Sequence, residues 1–352
     1  MSRTLSPLPQ RSDAPALSPS LGERLRGSAL RALPKSYLIL VLLGIIVVGY
    51  YVSDDFLTLR NADNVIAAAS IYVVLALGQF FVILTGGIDL SVGSILAMST
   101  VIGALSMQAG MPAGASAALT LACCAAAGLL NGVLIVWLNI PPFIATLATM
   151  SAVKGFSYII QSTSLIEIKD QAFIQAFSSG AIGGLRNPVI IFILVAVVAA
   201  LVAKFTTFGR SLYAIGGNPE AARLSGLPVA RNLLITYTMS GLLAGLAGLV
   251  AAAQLRQGSS LIGNGYELDA IAAVVVGGAS LMGGKGDPLS AVIGVFILTT
   301  IINIMNLVGI SSEPQLVIKG GVIIIAVFLS SAGGVQRISA FFSKHLRRTR
   351  TA

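Results

Sequence analysis

L-T-G-G-I-D-L-S-V-G-S-I-L-A, Leu84 to Ala97, lies in a part of the chain otherwise fit for lipid, yet it holds an aspartate, a glycine pair and hydroxyls. Its surroundings decide what that means. Of 352 residues, 56% are hydrophobic and 10% charged, and the mean hydropathy is +0.91, the composition of an integral membrane protein. A transmembrane helix takes about 20 mostly apolar residues. Such runs fall near 37–53, 64–84, 91–108, 114–138, 143–161, 188–205, 232–253, 268–282, 289–309 and 314–331. They predict an all-α, polytopic fold of about ten helices, some too short to cross upright and therefore broken or tilted. Continuous runs argue against a β-barrel, whose strands read as short alternating segments.

Inside a bilayer a helix is interrupted only where the freed backbone groups find partners in protein or in a water-filled cavity. Gly86-Gly87 gives the chain freedom for such a break. Asp89 and Ser91 are suitable amino-terminal caps for a helix running through Ser94 to Met98. Two compatible readings follow: a capped re-entrant turn, or a broken segment lining a path through the membrane. A second copy of the pattern favours the path. Gly277-Gly278-Ala279-Ser280-Leu281-Met282-Gly283-Gly284 aligns with Gly86-Gly87-Ile88-Asp89-Leu90-Ser91-Val92-Gly93. Each copy precedes an apolar, Asn-bearing segment, with Asn131 and Asn139 in one and Asn303 and Asn306 in the other. Two related halves packed about an axis would bring their irregular segments together.

Lys and Arg cluster in the first 35 residues, after the sixth run at Lys204 to Arg231, and in the tail from Arg337. An even number of spans puts all three clusters on one side, which the positive-inside rule makes cytoplasmic, both termini included. The net charge of +9 resides largely in these flanks, suits anionic lipid headgroups and calls for no nucleic acid. Three regions result: a disordered basic leader over 1–36, a membrane domain over 37–333 and a basic tail over 334–352. Cys123 and Cys124 are adjacent among small residues and read as packing positions.

The most informative polar insert contains Asn218-Pro219-Glu220-Ala221-Ala222-Arg223, followed by Gly226. Asn218 is a natural cap, Pro219 fits the first helical position, Glu220 suits the positive end of the dipole and Gly226 fits just past the end. A helix from Pro219 to Ser225 is predicted, and its Ala221 and Ala222 would leave a smooth surface for another protein's groove.

Glu220-Ala221-Ala222, three residues, then Gly226 resembles the signature by which ABC importer permeases engage their ATPases. Thr85-Gly86-Gly87-Ile88-Asp89-Leu90-Ser91-Val92-Gly93 resembles the hallmark of the ribose, xylose and arabinose type of monosaccharide permease, within the branched-chain amino acid and ribose permease group. Asn139-Ile140-Pro141-Pro142-Phe143, Ala214-Ile215-Gly216-Gly217-Asn218 and Leu268-Asp269-Ala270-Ile271 extend the resemblance over about 37–333. It implies a fold similar to the vitamin B12 importer permease, in two related halves, with a second permease subunit, identical or related, completing the pathway. It further implies a separate cytoplasmic ATPase carrying ATP and Mg, and a periplasmic sugar-binding protein above a bacterial inner membrane. The chain itself is expected to hold no cofactor and to catalyse no reaction. Lys285 lacks the glycine and hydroxyl spacing of a phosphate loop, so Gly283 to Gly286 reads as a tight turn.

A neutral sugar needs weak, exchangeable hydrogen bonds along its path. Asn131, Asn139, Asn303, Asn306, Gln79 and Ser280 are candidates, each also a natural interhelical partner. Asp89 and Asp269 are costlier in apolar surroundings, although either could sit near water at a helix end. Lys154 and Lys319 read as side chains reaching for an interface. Gly128 with Gly132, and Gly241 with Gly245, read as close helix contacts. His345 stands alone in the tail and supports no metal or triad. The alternatives are a branched-chain amino acid permease and an ion-coupled secondary transporter. The latter would usually want more intramembrane charge and has no need of the Pro219 helix.

Overall fold

The computed structural model describes residues 21–162 and 165–330, and the chain forms two units, Met1–Tyr37 and Leu38–Ala352. Helix α1 (Leu21–Val52) makes the described part of the first unit helical, where the sequence predicts an irregular leader. The stretch after Leu21 is rich in Leu, Arg and Ala, all strong helix formers. The rest of the leader and the tail over 334–352 lie outside the described residues.

The second unit is a helical bundle. After α1 come α2 (Leu59–Leu84), α3 (Val92–Gln108), α4 (Ala113–Val136) and α5 (Pro142–Gln161). A linker then forms β1 (Ile166–Glu167), α6 (Gln171–Ile174), a π-helical turn over Gln175–Ser179 and a small hairpin of β2 (Ala181–Ile182) and β3 (Leu185–Arg186). Helices α7 (Asn187–Phe205), α8 (Thr207–Gly217), α9 (Pro219–Leu224) and α10 (Val229–Leu255) follow. Strand β4 (Gln257–Gly258) pairs antiparallel with β1, and α11 (Tyr266–Val276), α12 (Pro288–Leu307) and α13 (Ser312–Ser330) complete the described chain.

Each apolar run of the sequence coincides with a helix over most of its length. Among the described residues, α2, α4, α5, α7, α10 and α12 are long and apolar enough to cross a membrane. The run over 268–282 is the one cut short, because α11 stops at Val276. Helix α8, an amphipathic helix of 11 residues with three glycines, is not anticipated by the sequence reading, because it lies outside every apolar run.

Burial ranks the helices. In α2, 78% of the most apolar stretch is buried inside the protein, against 28% in α7. Helix α2 therefore forms the centre of the bundle, with α10, α12, α7 and α11 against it. Helix α7 instead exposes Leu194, Leu201 and Phe205, a surface suited to hydrocarbon.

Close backbone approach fixes the packing of α4 on α10. A methyl group added at Gly128 would lie 3.0 Å from the Gly241 Cα, and one added at Gly241 would lie 2.9 Å from the Gly128 Cα. With no hydrophobic drive between helices in lipid, this dispersion contact is a main source of association. Cys124 packs at the same seam, beside Gly245, and both cysteines are free thiols. Replacing Gly241 by Leu is expected to destabilise the detergent-solubilised protein by about 1–3 kcal/mol, the usual cost of overpacking. Gly155→Ala, where an added methyl meets nothing within 4 Å, serves as the control. Equal thermal midpoints for the two variants would remove the contact from the account.

Candidate functional site

The break between α2 and α3 is the most polar point in the core. Asp89 is fully buried. Its Oδ1 accepts from the Ser91 N–H at 2.9 Å and from the Ser91 hydroxyl at 2.6 Å, while Oδ2 accepts from the Ser240 hydroxyl of α10 at 2.8 Å. Asn131 of α4 donates to Ser91 Oγ at 2.7 Å, and Thr146 of α5 donates to the Ile88 carbonyl at 3.1 Å. The Gln79 amide faces the Asp89 main chain. With its nitrogen 3.0 Å from the Asp89 carbonyl and its oxygen 3.2 Å from the Asp89 N–H, both groups are satisfied. One carboxylate thus fastens the break to α10 and, through Ser91, to α4. Two buried polar atoms nearby, the Tyr237 hydroxyl and Asn131 Oδ1, have no partner, and Tyr237 lies against Gly87.

Ser91 occupies the cap position of α3 without capping it by its side chain. Its hydroxyl serves Asp89 instead, so the capping predicted for the pair is replaced by a local turn closed on the carboxylate.

The second break, after α11, has the same main-chain geometry in a register one residue different from the sequence alignment. Gly86 donates to Ile83 O at 2.9 Å and Gly87 to Val82 O at 3.2 Å; Gly278 donates to Val275 O at 2.8 Å and Ala279 to Val274 O at 3.1 Å. Gly86 and Gly278 have φ of +82° and +88°, the left-handed conformation of a helix-terminating cap. Gly86 therefore corresponds to Gly278, not to Gly277, and Asp89 falls opposite Leu281. The carboxylate hub is present in one break alone. Gly277 packs on α12, its added methyl position 2.7 Å from the Ala291 Cα, and Ser280 Oγ accepts from the Met282 N–H at 3.2 Å within the turn. The two breaks meet, since Gly284 donates to the Leu84 carbonyl at 2.9 Å.

Helix α9 forms as the sequence predicts, ending one residue earlier, at Leu224. Asn218 Oδ1 accepts from the Ala221 N–H at 3.0 Å, Pro219 opens the helix, and Gly226 follows its end at φ +79°. Glu220 and Arg223 form an exposed ion pair at 3.7 Å. Ala221 is exposed, whereas Ala222 is 4% exposed and belongs to the core. The free face is accordingly Glu220, Ala221 and Leu224, and the two alanines do not share it.

Asn303 and Asn61 exchange amide hydrogen bonds of 2.7 and 2.9 Å, clasping α12 to α2. Asn306 accepts from Gln315 at 2.8 Å. Asn139 sits outside α4, exposed, in a left-handed turn at φ +53°. Lys154 donates to Asn264 at 2.7 Å. Lys319 is paired rather than reaching outward, with Asp269 Oδ2 at 2.9 Å. That pair joins α11 to α13 beside the Tyr72 and Tyr266 rings, whose centroids are 4.8 Å apart. Two narrow clefts flank Asp269. Sequence reading missed the cluster because its members come from three helices. No group of three or more His, Cys, Asp or Glu among the described residues could hold a metal.

Residues 61–327 match the family described as branched-chain amino acid transport system / permease component. The chain is 40% identical to the ribose import permease protein of Bacillus subtilis (strain 168) over 81% of its own length and 89% of the relative's. It is 38% identical to the ribose import permease protein of Escherichia coli (strain K12), over 83% and 92%. Against the galactose/methyl galactoside import permease protein of Salmonella typhimurium the identity is 40%, over 83% and 92%. No solved structure matches.

Asp89→Ala removes the acceptor of three hydrogen bonds and leaves buried donors without partners. Each bond to a charged group is worth about 1.5–3 kcal/mol, so a clear drop in thermal midpoint is expected in detergent. Leu281→Ala, at the corresponding position of the other break, loses apolar contact alone and is expected to cost less. The reverse order would show that Asp89 does not organise the site.

Proposed function

The chain belongs to the branched-chain amino acid transport system / permease component family, and from that premise we propose that it is the membrane-spanning permease of an ATP-driven monosaccharide importer. The observation that carries the cargo is the 38–40% identity, over more than four fifths of the chain, to permeases named for ribose and galactose import. Helix α9 supports the energy source. It is a short, capped, outward element with one small exposed residue, Ala221, flanked by charge, which suits insertion into a groove of a separate ATP-binding subunit holding ATP and Mg.

The remaining assignments follow the family. About ten helices in two related halves, on the plan of the vitamin B12 importer permease, would cross the bacterial inner membrane with both termini in the cytoplasm. A second permease subunit would complete the pathway, and a periplasmic sugar-binding protein would load it. Alternating access is the mechanism. Closure of the ATPases pushes α9, and the bundle rocks about its breaks. A sugar of no charge needs no fixed counter-ion on the way, in keeping with Asn131 and Ser91 as polar groups held inside by their neighbours. Asn303 and Asn306 are engaged with Asn61 and Gln315, and Asn139 lies in an exposed turn.

The family's description favours one other cargo, a branched-chain amino acid. Uptake of labelled ribose into vesicles carrying the full complex, with excess unlabelled ribose or leucine as competitor, separates the two. Competition by ribose, with uptake abolished when ATP is withheld, is the expected result. Uptake driven by an ion gradient alone refutes the importer, and competition by leucine alone refutes the sugar. Ala221→Trp is expected to lower ATP-dependent uptake by about tenfold, equivalent to about 1.4 kcal/mol, and to weaken recovery of the ATPase with the permease.

A further inference from the structure

We infer that Gly216 is the positioning residue through which load on α9 reaches both helix breaks. The inference deepens the proposed function and rests on it, since it takes α9 to be the ATPase contact.

Helix α8 ends at Gly217 and α9 starts at Pro219, so Asn218 alone joins them. It is bonded into both: its N–H donates to Ala214 O at 3.1 Å, and its side chain accepts from Ala221 N at 3.0 Å. The two helices are one bent lever. Leu212 and Ile215 seat α8 in the core, at 0% and 1% exposure.

The inner end of the lever bears on backbone. A methyl group at Gly216 would overlap both the Leu84 carbonyl oxygen and the Gly284 nitrogen, which are the acceptor and donor of the hydrogen bond joining the two breaks. From the other side, a methyl at Gly283 would lie 2.9 Å from the Gly216 Cα, and one at Gly284 would lie 2.9 Å from the Gly217 Cα. Three glycine-bearing segments therefore touch main chain to main chain. One turn back on α8, the Tyr213 hydroxyl donates to the Gly286 carbonyl at 3.0 Å, adding a tether to the second break. Leu84 is the last residue of α2, and the Asp89 hub lies in the turn that follows it. Movement at the Leu84 carbonyl thus reaches α10 through Ser240 and α4 through Ser91 and Asn131. Main-chain contact transmits displacement with less slack than flexible side chains do, because the core cannot deform continuously.

The test uses the intact complex with its ATPase and delivery protein in proteoliposomes, with ribose as the probe and ribose moved per ATP hydrolysed as the readout. Gly216→Ala is expected to lower that ratio by about tenfold, within the usual range of coupling between sites, while hydrolysis persists. Gly217→Ala, where an added methyl meets nothing within 4 Å, is expected to keep the wild-type ratio. Tyr213→Phe, which removes one tether without changing ring packing, is expected to lower it less. A Gly216→Ala complex with the wild-type ratio overturns the inference. If that variant does not assemble, Tyr213→Phe decides: a reduced ratio with unchanged thermal midpoint supports the lever, and an unchanged ratio overturns it. Failure of the proposed function is visible separately, as wild-type uptake that needs no ATP.

Discussion

Where a helix ends inside the protein, its last carbonyls and the next helix's first N–H groups must be satisfied by neighbouring groups. This chain stops two helices and answers with one device. A left-handed glycine closes each end on its own carbonyls, and the loose carbonyl of Leu84 accepts from the opposite break. Because the second break supplies a donor to the first, the two are neighbours. The neighbouring arrangement in turn dictates that α2 runs through the middle of the bundle and that α8 has a backbone surface to rest on.

Asp89 adds a second layer. A carboxylate in such a place is costly unless hydrogen-bonded, and here three donors reach it from its own turn and from α10. Its worth lies in geometry as much as in energy. Polar groups from α2, α4, α5 and α10 converge on a few residues of irregular chain, leaving the Tyr237 hydroxyl and Asn131 Oδ1 as the unmatched groups at its edge. The other break, with Leu281 at the matching place, has no such hub, so the two related turns are unequal in how firmly they are held.

Much of this was legible in the sequence because its rules are local. Twenty-residue apolar runs gave the helices, and Asn218, Pro219 and Gly226 bounded α9 through capping chemistry that acts over three or four residues. What was hidden is long-range. Ser240 lies 151 positions from Asp89, Asn303 lies 242 from Asn61, and Lys319 finds Asp269 across two helices; no local pattern announces such pairs. The one-residue error in aligning the breaks has a different cause. Matching letters put Gly86 with Gly277, whereas cap geometry counts from the last helical residue, which makes Thr85 and Gly277 equivalent. Asn139 was misplaced for a like reason, since an asparagine tolerates a left-handed turn as readily as it does a helix face.

Asn218 closes α8 and opens α9 with a single peptide unit between them. The joint consequently fixes angular phase as well as direction. One residue more would upset the paired bonds by which Asn218 holds α9 to α8, and with them the setting of Ala221. An insertion or deletion at this joint would disturb the setting of α9 on α8 whatever residue it added or removed. The length between Gly217 and Pro219 therefore sets how α9 sits on α8.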